Sequence, residues 1–546
     1  MRQKFSQTFI LTAILANIAG GSVAFAKKAD KLKEPARVAD PSSPAALHKQ
    51  LLAVKRAYRT GDASRAATWV RLTDLHDYSA KMTMNDRVSL LSSQASLLTE
   101  AGYPVLASIY ASQAVKLAPD PLASELGPAW IILQRVSEKR PIQNVLEIVA
   151  SSTDLKGRKA PVFGSDWNYF AGSAAAHAGQ TDKALKFYGD LKVGDRYFFP
   201  AKYQQAMLLI ELEKPAAAED ALKAILFSTA QKLSALTEKQ RGDMADYAHL
   251  ALGRLYYERQ RFGESSKMYR LVSRDGPNFY DALFEQSWSL FMAGYPMHAL
   301  GGLYAVESPF YKDTFNPEAP LLRAMIHYWL CRYDSSRNAL ADFMERYQPD
   351  VEKLTDFLAR KHLDAETAYA LFENLVAGVS EESLGLSRSI LQTAAQKDSM
   401  LLVRDQYATI IEERSRLEAK GIFGNKTRSN QSLGYMDRWA QALRKDVGKH
   451  FLAELQDMKK DYDRLFAQAE FLYVELLMSE KDQLLGKELH ASSKITNVSK
   501  RMQVNSWSKQ SQSWKDARNG EYWWDELGYY IEPVGSMCAV QGKNGK

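Results

Sequence analysis

The sequence predicts an all-α fold, with a right-handed solenoid of helix–turn–helix repeats followed by a long helical C-terminal region. Small residues recur at a spacing of 34 in amphipathic segments, from Gly172 to Ala206 and from Gly253 to Ser287, and Ala324 follows after 37. Each is followed twelve residues later by a small residue and sixteen later by a large one: Ala184, Ala218, Ser265, Ala299 and Ser336, then Tyr188, Leu222, Tyr269, Leu303 and Leu340. Helices in close contact need a small side chain with a bulky one a turn away, so the repetition indicates stacked hairpins.

One segment carries the whole pattern and points to a known repeat. Between Tyr247 and Pro277 the chain has, in order, Gly253, Tyr256, Ser265, Tyr269 and Pro277. This segment resembles the tetratricopeptide repeat, and the resemblance extends over about residues 83–119 and 165–350. It implies stacked helical hairpins that bind protein partners, and it is nearly silent on any activity.

Composition excludes little beyond nucleic-acid binding. The chain has 546 residues, 46% apolar and 25% charged, with a formal net charge of +7. This mild basic excess is spread along the chain, and no basic run is interleaved with base-stacking aromatic residues, so we expect no nucleic-acid partner. No cofactor and no metal are expected either.

The first 26 residues have the order of a secretory signal peptide. Arg2 and Lys4 precede a short apolar stretch, and Ala24-Phe25-Ala26 is a small-x-small cleavage site. The bacterial style of this signal predicts a periplasmic or outer-membrane-associated protein, with no membrane span after it. Of the two cysteines, Cys331 falls in an apolar helical stretch, and spacing alone does not decide whether it pairs with Cys538.

Helical patterning begins near Pro44, after a charged leader at 27–44 that contains three prolines. Hairpins are expected at 46–75 and 91–119, and a helical segment that fits the repeat poorly at 128–160. Five repeats then run from Asp166 to Pro349, where Gln348-Pro349 is expected to end the last helix. The predicted solenoid covers residues 45–350.

Beyond the repeats, residues 351–430 are expected to form additional helices and residues 431–495 a long helix. Apolar residues spaced alternately by four and three form a seam on that helix: Phe451, Leu455, Met458, Tyr462, Leu465, Ala469, Leu472 and Leu476. A heptad seam fits either a helix packed on the solenoid or a homodimer through residues 451–476.

The C-terminal tail, residues 496–546, is polar but rich in aromatic residues. Trp523, Trp524, Tyr529 and Tyr530 lie in its densest part. Large aromatic patches rarely stay exposed on a soluble monomer. The tail is therefore expected either to dock on the protein's own helices or to bind a partner.

The resemblance to tetratricopeptide proteins also implies a set of groove residues, because in that family the first helix of each repeat lines the concave surface. Carried over repeat by repeat, the inner positions include Tyr169, Tyr203, Tyr247, Arg254, Tyr257, Phe284, Trp288, Phe291, Tyr328 and Trp329. Such a groove is largely aromatic and apolar, which suits an apolar helix or an extended peptide. The protein's own C-terminal helices are the alternative occupant.

The expected function is that of a non-catalytic periplasmic scaffold for protein–protein interactions in a cell-envelope assembly. Phosphate-loop, dinucleotide, serine-hydrolase and zinc-protease motifs are missing from the sequence, and Glu412-Glu413 is typical of a solvated helix face. The segment Gly520–Tyr530, with the secreted repeat layout, weakly resembles repeat proteins of the gliding-motility envelope complex of myxobacteria and predatory bacteria. The alternative is a helical enzyme acting on peptidoglycan, which would need two converging carboxylates.

Overall fold

A computed structural model describes residues 43–139, 166–230, 237–311, 314, 316–360, 363–485, 512–513, 522 and 524–538. The predicted signal peptide, most of the leader and residues 140–165 lie outside these ranges. Over the described residues the fold is all-α, as the sequence predicts, and the two strands β1 (Gln512–Ser513) and β2 (Tyr530–Ile531) pair in parallel.

The helices are, in chain order, α1 Pro44–Thr60, α2 Arg65–Asp77, α3 Met84–Glu100, α4 Pro104–Leu117, α5 Gly127–Lys139, α6 Asp166–His177, α7 Thr181–Gly189, α8 Phe198–Glu211, α9 Pro215–Ala230, α10 Glu238–Glu258, α11 Phe262–Arg270, α12 Phe279–Met292, α13 Pro296–Val306, α14 Glu318–Trp329, α15 Tyr333–Leu358, α16 Ala365–Val376, α17 Glu381–Leu384, α18 Arg388–Gln396, α19 Asp398–Lys420 and α20 Asn430–Leu484. They belong to two compact units. Of the described residues, the first unit holds those up to 214 and 398–447, and the second holds 215–230, 237–397 and 448–538.

The turn inside each hairpin has the same geometry in six repeats. Seven residues after the small position of the first helix, the backbone adopts a left-handed conformation at Gly102, Gly179, Glu213, Gln260, Gly294 and Cys331. The next N–H then bonds back five residues, as in Arg261 to the Tyr256 carbonyl at 2.8 Å, which is the cap that ends a helix in a Schellman motif. The second helix begins one residue later, so these six hairpins share one turn geometry.

The small and large positions of the sequence pattern meet inside the hairpins. A β-carbon at Gly172 would lie 2.6 Å from the ring of Tyr188, and one at Gly253 would lie 2.6 Å from the ring of Tyr269. Twelve residues after the small position, the Ser265 hydroxyl donates to the Gly253 carbonyl at 2.7 Å. In these two repeats the helices are thus held at backbone-to-ring distance, which glycine permits because it has no β-carbon.

In the first unit, α19 is fastened to α4 by a buried carboxylate. Glu413 accepts hydrogen bonds from the Val105 and Leu106 N–H groups at 3.0 and 3.1 Å, and so caps the N-terminus of α4. Nearby, the Tyr103 hydroxyl donates to the Gly421 carbonyl at 3.1 Å. The expectation that Glu412-Glu413 is a solvated pair is therefore wrong for Glu413, because its partners are about 300 residues away in the sequence.

Packing groups the C-terminal helices differently from the sequence-based ranges 351–430 and 431–495. Residues 398–447 belong to the first unit, and the remainder of α20 belongs to the second. A further difference concerns α15, which continues through Pro349 to Leu358 instead of ending at Gln348-Pro349. A proline inside a helix normally removes one backbone hydrogen bond. Leu354 and Phe357, which follow Pro349 on α15, are buried, and their packing offsets this loss.

The heptad seam of α20 is buried within the second unit. All eight seam residues from Phe451 to Leu476 are buried. Phe451 meets Phe372 of α16 with ring centres 5.5 Å apart, and the neighbouring Phe466 meets Phe343 of α15 at 4.8 Å. Of the two arrangements that the seam allows, the structure has the one in which the seam residues pack on helices of their own unit. Within the described ranges, no helix is long and apolar enough to cross a membrane.

Candidate functional site: the aromatic face of the second unit

Two of the predicted groove residues lie in the first unit, and both are buried. Tyr169 is 2% exposed and stacks on Tyr197, with ring centres 4.5 Å apart and planes 4° from parallel. Tyr203 is buried as well. These rings contribute to the interior, so neither is available to a partner in this conformation.

In the second unit, the first helices α10, α12 and α14 carry the other eight predicted residues. On α10, Tyr247 and Tyr257 are half-buried. Tyr257 packs edge-to-face on Phe262 at 5.3 Å. Burial raises the pKa of Tyr257 to about 12, and the negative charge of Glu318 adds to the rise. The Tyr257 hydroxyl is therefore a neutral hydrogen-bonding group at every physiological pH.

The charge of Arg254 on α10 is neutralised by Glu285, a residue that is not among the predicted groove residues. Its Nε donates to Oε2 of Glu285 on α12 at 2.8 Å, and Nη2 contacts Oε1 as well. Burial acts to lower the pKa of Arg254, but the Glu285 carboxylate outweighs it and raises the pKa. The predicted groove is thus not simply apolar, since a two-pronged ion pair ties its first two helices together.

On α12, the predicted residues divide between surface and interior. Phe284 and Trp288 are half-buried, whereas Phe291 is buried and packs edge-to-face on Trp329 of α14 at 6.0 Å. Trp288 lies beside Glu318. Burial raises the pKa of Glu318, although the positive charge of Arg464 on α20 acts to lower it. Tyr257, Phe284, Trp288 and the Arg254–Glu285 pair form what we call the aromatic face.

The end of this surface at α14 is occupied by the protein's own long helix. The Tyr328 hydroxyl lies 3.1 Å from Oγ of Ser479 and 3.4 Å from a carboxylate oxygen of Glu475, both on α20. Arg337 forms an ion pair with Glu480 of the same helix. At Tyr328, therefore, the protein's own C-terminal helix occupies the predicted groove, which is the alternative occupant considered above. The part of the surface that α20 leaves uncovered lies on α10 and α12.

The C-terminal tail docks on α12–α14 of its own unit. Tyr530 is buried and its ring contacts Tyr304 of α13 at 5.4 Å, while Tyr529 lies beneath Arg270 and Arg274. Trp524 contacts Phe310 at 5.4 Å and stays 40% exposed. Trp523 lies outside the described residues. Of the four tail residues predicted to bind a partner, Trp524 keeps a substantial exposed surface.

Two features of the structure that were not part of the predicted site hold the tail in place. A disulfide joins Cys538 to Cys331, the residue in the left-handed turn between α14 and α15. The tail backbone also runs against Gly301 of α13, where a β-carbon would lie 2.0 Å from the Tyr530 carbonyl oxygen. The Gly301-Gly302 pair in a helix was the available sequence signal, because such a pair marks close backbone approach.

A half-buried acidic residue of the tail lies near two arginines. Burial raises the pKa of Glu532, although the positive charges of Arg323 and Arg332 act to lower it. The Glu532 N–H also donates to the Met297 carbonyl at 3.1 Å. The tail thus contacts the helices of its own unit through its backbone, its aromatic rings and one carboxyl group. Among the described residues, no group of three or more His, Cys, Asp or Glu could hold a metal ion.

Comparisons with known proteins add little to this picture. No protein-family model matches the chain, and no curated protein matches it. Among solved structures, a tetratricopeptide repeat protein from Parabacteroides merdae ATCC 43184 is 19% identical, with a TM-score of 0.30, over 47% of this chain and 93% of that chain. That similarity is too low to carry an argument. The turn geometry and the glycine-to-ring contacts described above recur among the hairpins of this chain.

Proposed function

We propose that the protein is a non-catalytic scaffold of the bacterial cell envelope that binds another protein at the aromatic face of its second unit. The observation that carries this proposal is the pairing of Phe284 and Trp288, two half-buried rings on one helix of a repeated hairpin. Tryptophan and other large aromatic side chains are the usual carriers of binding energy at protein interfaces. Beside them, the Arg254–Glu285 pair supplies hydrogen-bonding groups without net charge.

The partner that fits this face is an apolar helix or an extended peptide. The first helices of successive hairpins lie side by side in such repeats and present a continuous surface. A ligand with apolar anchors would cover Phe284 and Trp288, and its polar groups would meet Tyr257. A strongly acidic ligand is disfavoured, because Arg254, the positively charged residue among the predicted groove residues, is already paired with Glu285.

The environment of three glutamates, Glu219, Glu285 and Glu413, supports a structural role for these residues. Glu219 accepts a hydrogen bond from the Tyr256 hydroxyl at 2.9 Å and pairs with Arg259 at 2.8 Å. Glu285 is engaged by Arg254, and Glu413 by two backbone N–H groups. A glycan-cleaving enzyme needs a pair of carboxyl groups facing one substrate bond, and these three carboxyl groups are each committed to a protein partner.

The proposed location is the periplasm, or association with the outer membrane. The signal-like residues 1–26 motivate it, and the Cys331–Cys538 disulfide supports it, because disulfides persist in oxidising compartments and are rare in the cytosol. A role in gliding motility is a narrower hypothesis, motivated by the resemblance of segment 520–530. Deletion of the gene followed by a motility assay tests it separately.

The experiment for the proposed function is crosslinking capture from envelope extracts of the source organism, followed by incubation of the purified protein with peptidoglycan. We expect a specific envelope protein to be recovered and no soluble glycan fragment to be released. Release of fragments that is lost on changing a single carboxylate would contradict the scaffold proposal and favour the peptidoglycan enzyme.

A further inference from the structure

The outward face of α20 changes character within the second unit. From Gln456 to Glu470 its exposed positions are mostly charged or polar, as expected of a solvated helix. From Phe471 to Met478 they are apolar: Phe471 is 66% exposed, Val474 53% and Met478 58%, and Tyr473 and Leu477 are also exposed. Exposed apolar patches of this kind mark interaction sites on soluble proteins.

This apolar stretch is distinct from the heptad seam. Leu472 and Leu476, which belong to the seam, point into the unit and are buried. Tyr473, Val474, Leu477 and Met478 recur at the spacings of a second face on the same helix. One side of α20 therefore packs in the core of the second unit, and the other side presents apolar residues to solvent.

Two charged residues of opposite sign flank the stretch from Tyr473 to Met478: Glu470 lies one turn before Tyr473, and Lys481 lies one turn after Leu477 and Met478. Beyond Lys481, Leu484 and Leu485 are again exposed, at 88% and 60%. The face between the two charges, residues 470–481, is about 16 Å long at 1.5 Å per residue. If two copies pair antiparallel about a twofold axis between residues 475 and 476, each Glu470 meets a Lys481. Tyr473 then meets Met478, and Val474 meets Leu477. A parallel pair in register would instead place like charges together.

We propose that the exposed face of α20, residues 470–481, is an antiparallel homodimer interface between two copies of this chain. A twofold interface requires one patch to be complementary to itself, and the opposite charges at the two ends of this face meet that requirement. The apolar area is small compared with a standard interface, so the dimer is weak, with dissociation in the micromolar range or above.

Sedimentation equilibrium of the full-length mature protein over a wide concentration range tests this proposal. We expect a reversible monomer–dimer equilibrium in the wild type. Val474→Glu with Leu477→Glu places four carboxylates at the centre of the interface and should weaken association at least tenfold. Gln468→Glu is the matched control, because it adds charge at an exposed position of the same helix outside the face. Unchanged circular dichroism confirms that each variant folds.

Charge reversal tests the antiparallel register. Lys481→Glu alone should weaken the dimer by roughly fivefold, since two exposed charge pairs become repulsive. Adding Glu470→Lys in the same chain should restore it, because every pair then has opposite signs again. A wild type that stays monomeric at all concentrations would overturn the proposal, and so would a dimer that survives Val474→Glu with Leu477→Glu. A dimer that responds to those changes but not to charge reversal would overturn the antiparallel arrangement.

Discussion

Gly253 lies so close to the ring of Tyr269 that a β-carbon on the glycine would be 2.6 Å from Cε1 of the tyrosine. A β-carbon on Gly172 would lie at the same distance from Cε1 of Tyr188, which is likewise sixteen residues further along the chain. One contact thus recurs in both units and sets the separation of the helices in a hairpin.

We expect Gly253→Ala to destabilise the protein, although alanine is the better helix former. The added methyl group must displace a buried ring, and overpacking of this kind costs about 1–3 kcal/mol of unfolding free energy. Gly242→Ala is the matched control on the same helix, where a β-carbon meets nothing within 4 Å. The control should gain about 0.5–1 kcal/mol from helix propensity. Equal melting temperatures for the two variants would contradict the close contact.

The turn at Gln260 offers the opposite experiment, a stabilising substitution. Gln260 has a φ of 58°, which side chains rarely adopt, whereas Gly294 occupies the same turn position in the next hairpin. Gln260→Gly should raise the unfolding free energy by about 1 kcal/mol, and Gly294→Gln should lower it by a similar amount. Chemical denaturation of both variants checks the pair. The same sign of change in both would contradict a shared left-handed requirement.

The hairpins could be predicted from the sequence because their defining contacts are local. Gly253 and Tyr269 are sixteen residues apart, so a period in the sequence maps directly onto a contact in space. Glu413 and the backbone of Val105 are 308 residues apart, and no local pattern reveals that such a carboxylate caps a distant helix. For the same reason, the sequence indicated the long C-terminal helix but not its division between two units.

The candidate site could be predicted only in part. The family positions located Phe284 and Trp288, which are partly exposed, but also Tyr169 and Phe291, which are interior. The difference depends on what covers each ring, and the covering groups, such as Tyr197 over Tyr169, are set by packing between neighbouring hairpins. Glu285 was missed because an ion pair with Arg254 crosses from one hairpin to the next, outside the repeat pattern.

The tail should detach when its close approach to α13 is blocked. Gly301→Ala places a methyl group where the Tyr530 carbonyl oxygen lies, so the backbone of the tail must move away. Faster proteolysis of the tail, measured by limited digestion and mass spectrometry, is the expected result. Gly242→Ala again serves as the control, and unchanged cleavage in Gly301→Ala would contradict the docking.

Loss of the disulfide should have a larger effect on stability than loss of that contact. Cys331 and Cys538 are 207 residues apart, so the crosslink restricts the unfolded chain strongly. Cys538→Ser should lower the unfolding free energy by about 2–5 kcal/mol. Melting under non-reducing conditions measures the loss, and a variant with the wild-type midpoint would show that the crosslink does not form.

Acid should destabilise the second unit through His327. Burial, assisted by the positive charges of Arg323 and Arg332, lowers the pKa of His327 to about 4, well below its ordinary value. A histidine with a depressed pKa stabilises the folded state above the unfolded pKa, about 6.5, and this contribution is lost as pH falls toward 4. The loss should amount to about 1–3 kcal/mol.

His327→Gln should flatten the dependence of melting temperature on pH between 6.5 and 4, at some cost to stability at neutral pH. His177→Gln, at an exposed histidine of the first unit, is the comparison variant. If both variants keep the wild-type slope, His327 is not the group that titrates.

The most direct test of the central claim is quantitative capture of the envelope partner by proteins altered at the aromatic face. Phe284→Ala with Trp288→Ala removes two half-buried rings, and loss of such anchors costs about 2 kcal/mol or more of binding free energy. Phe227→Ala is the control, because Phe227 is an exposed aromatic residue on α9. We predict that the double variant melts as a folded protein and captures its partner at least tenfold more weakly, while the control captures normally. A folded double variant that captures its partner as well as the wild type would contradict the account.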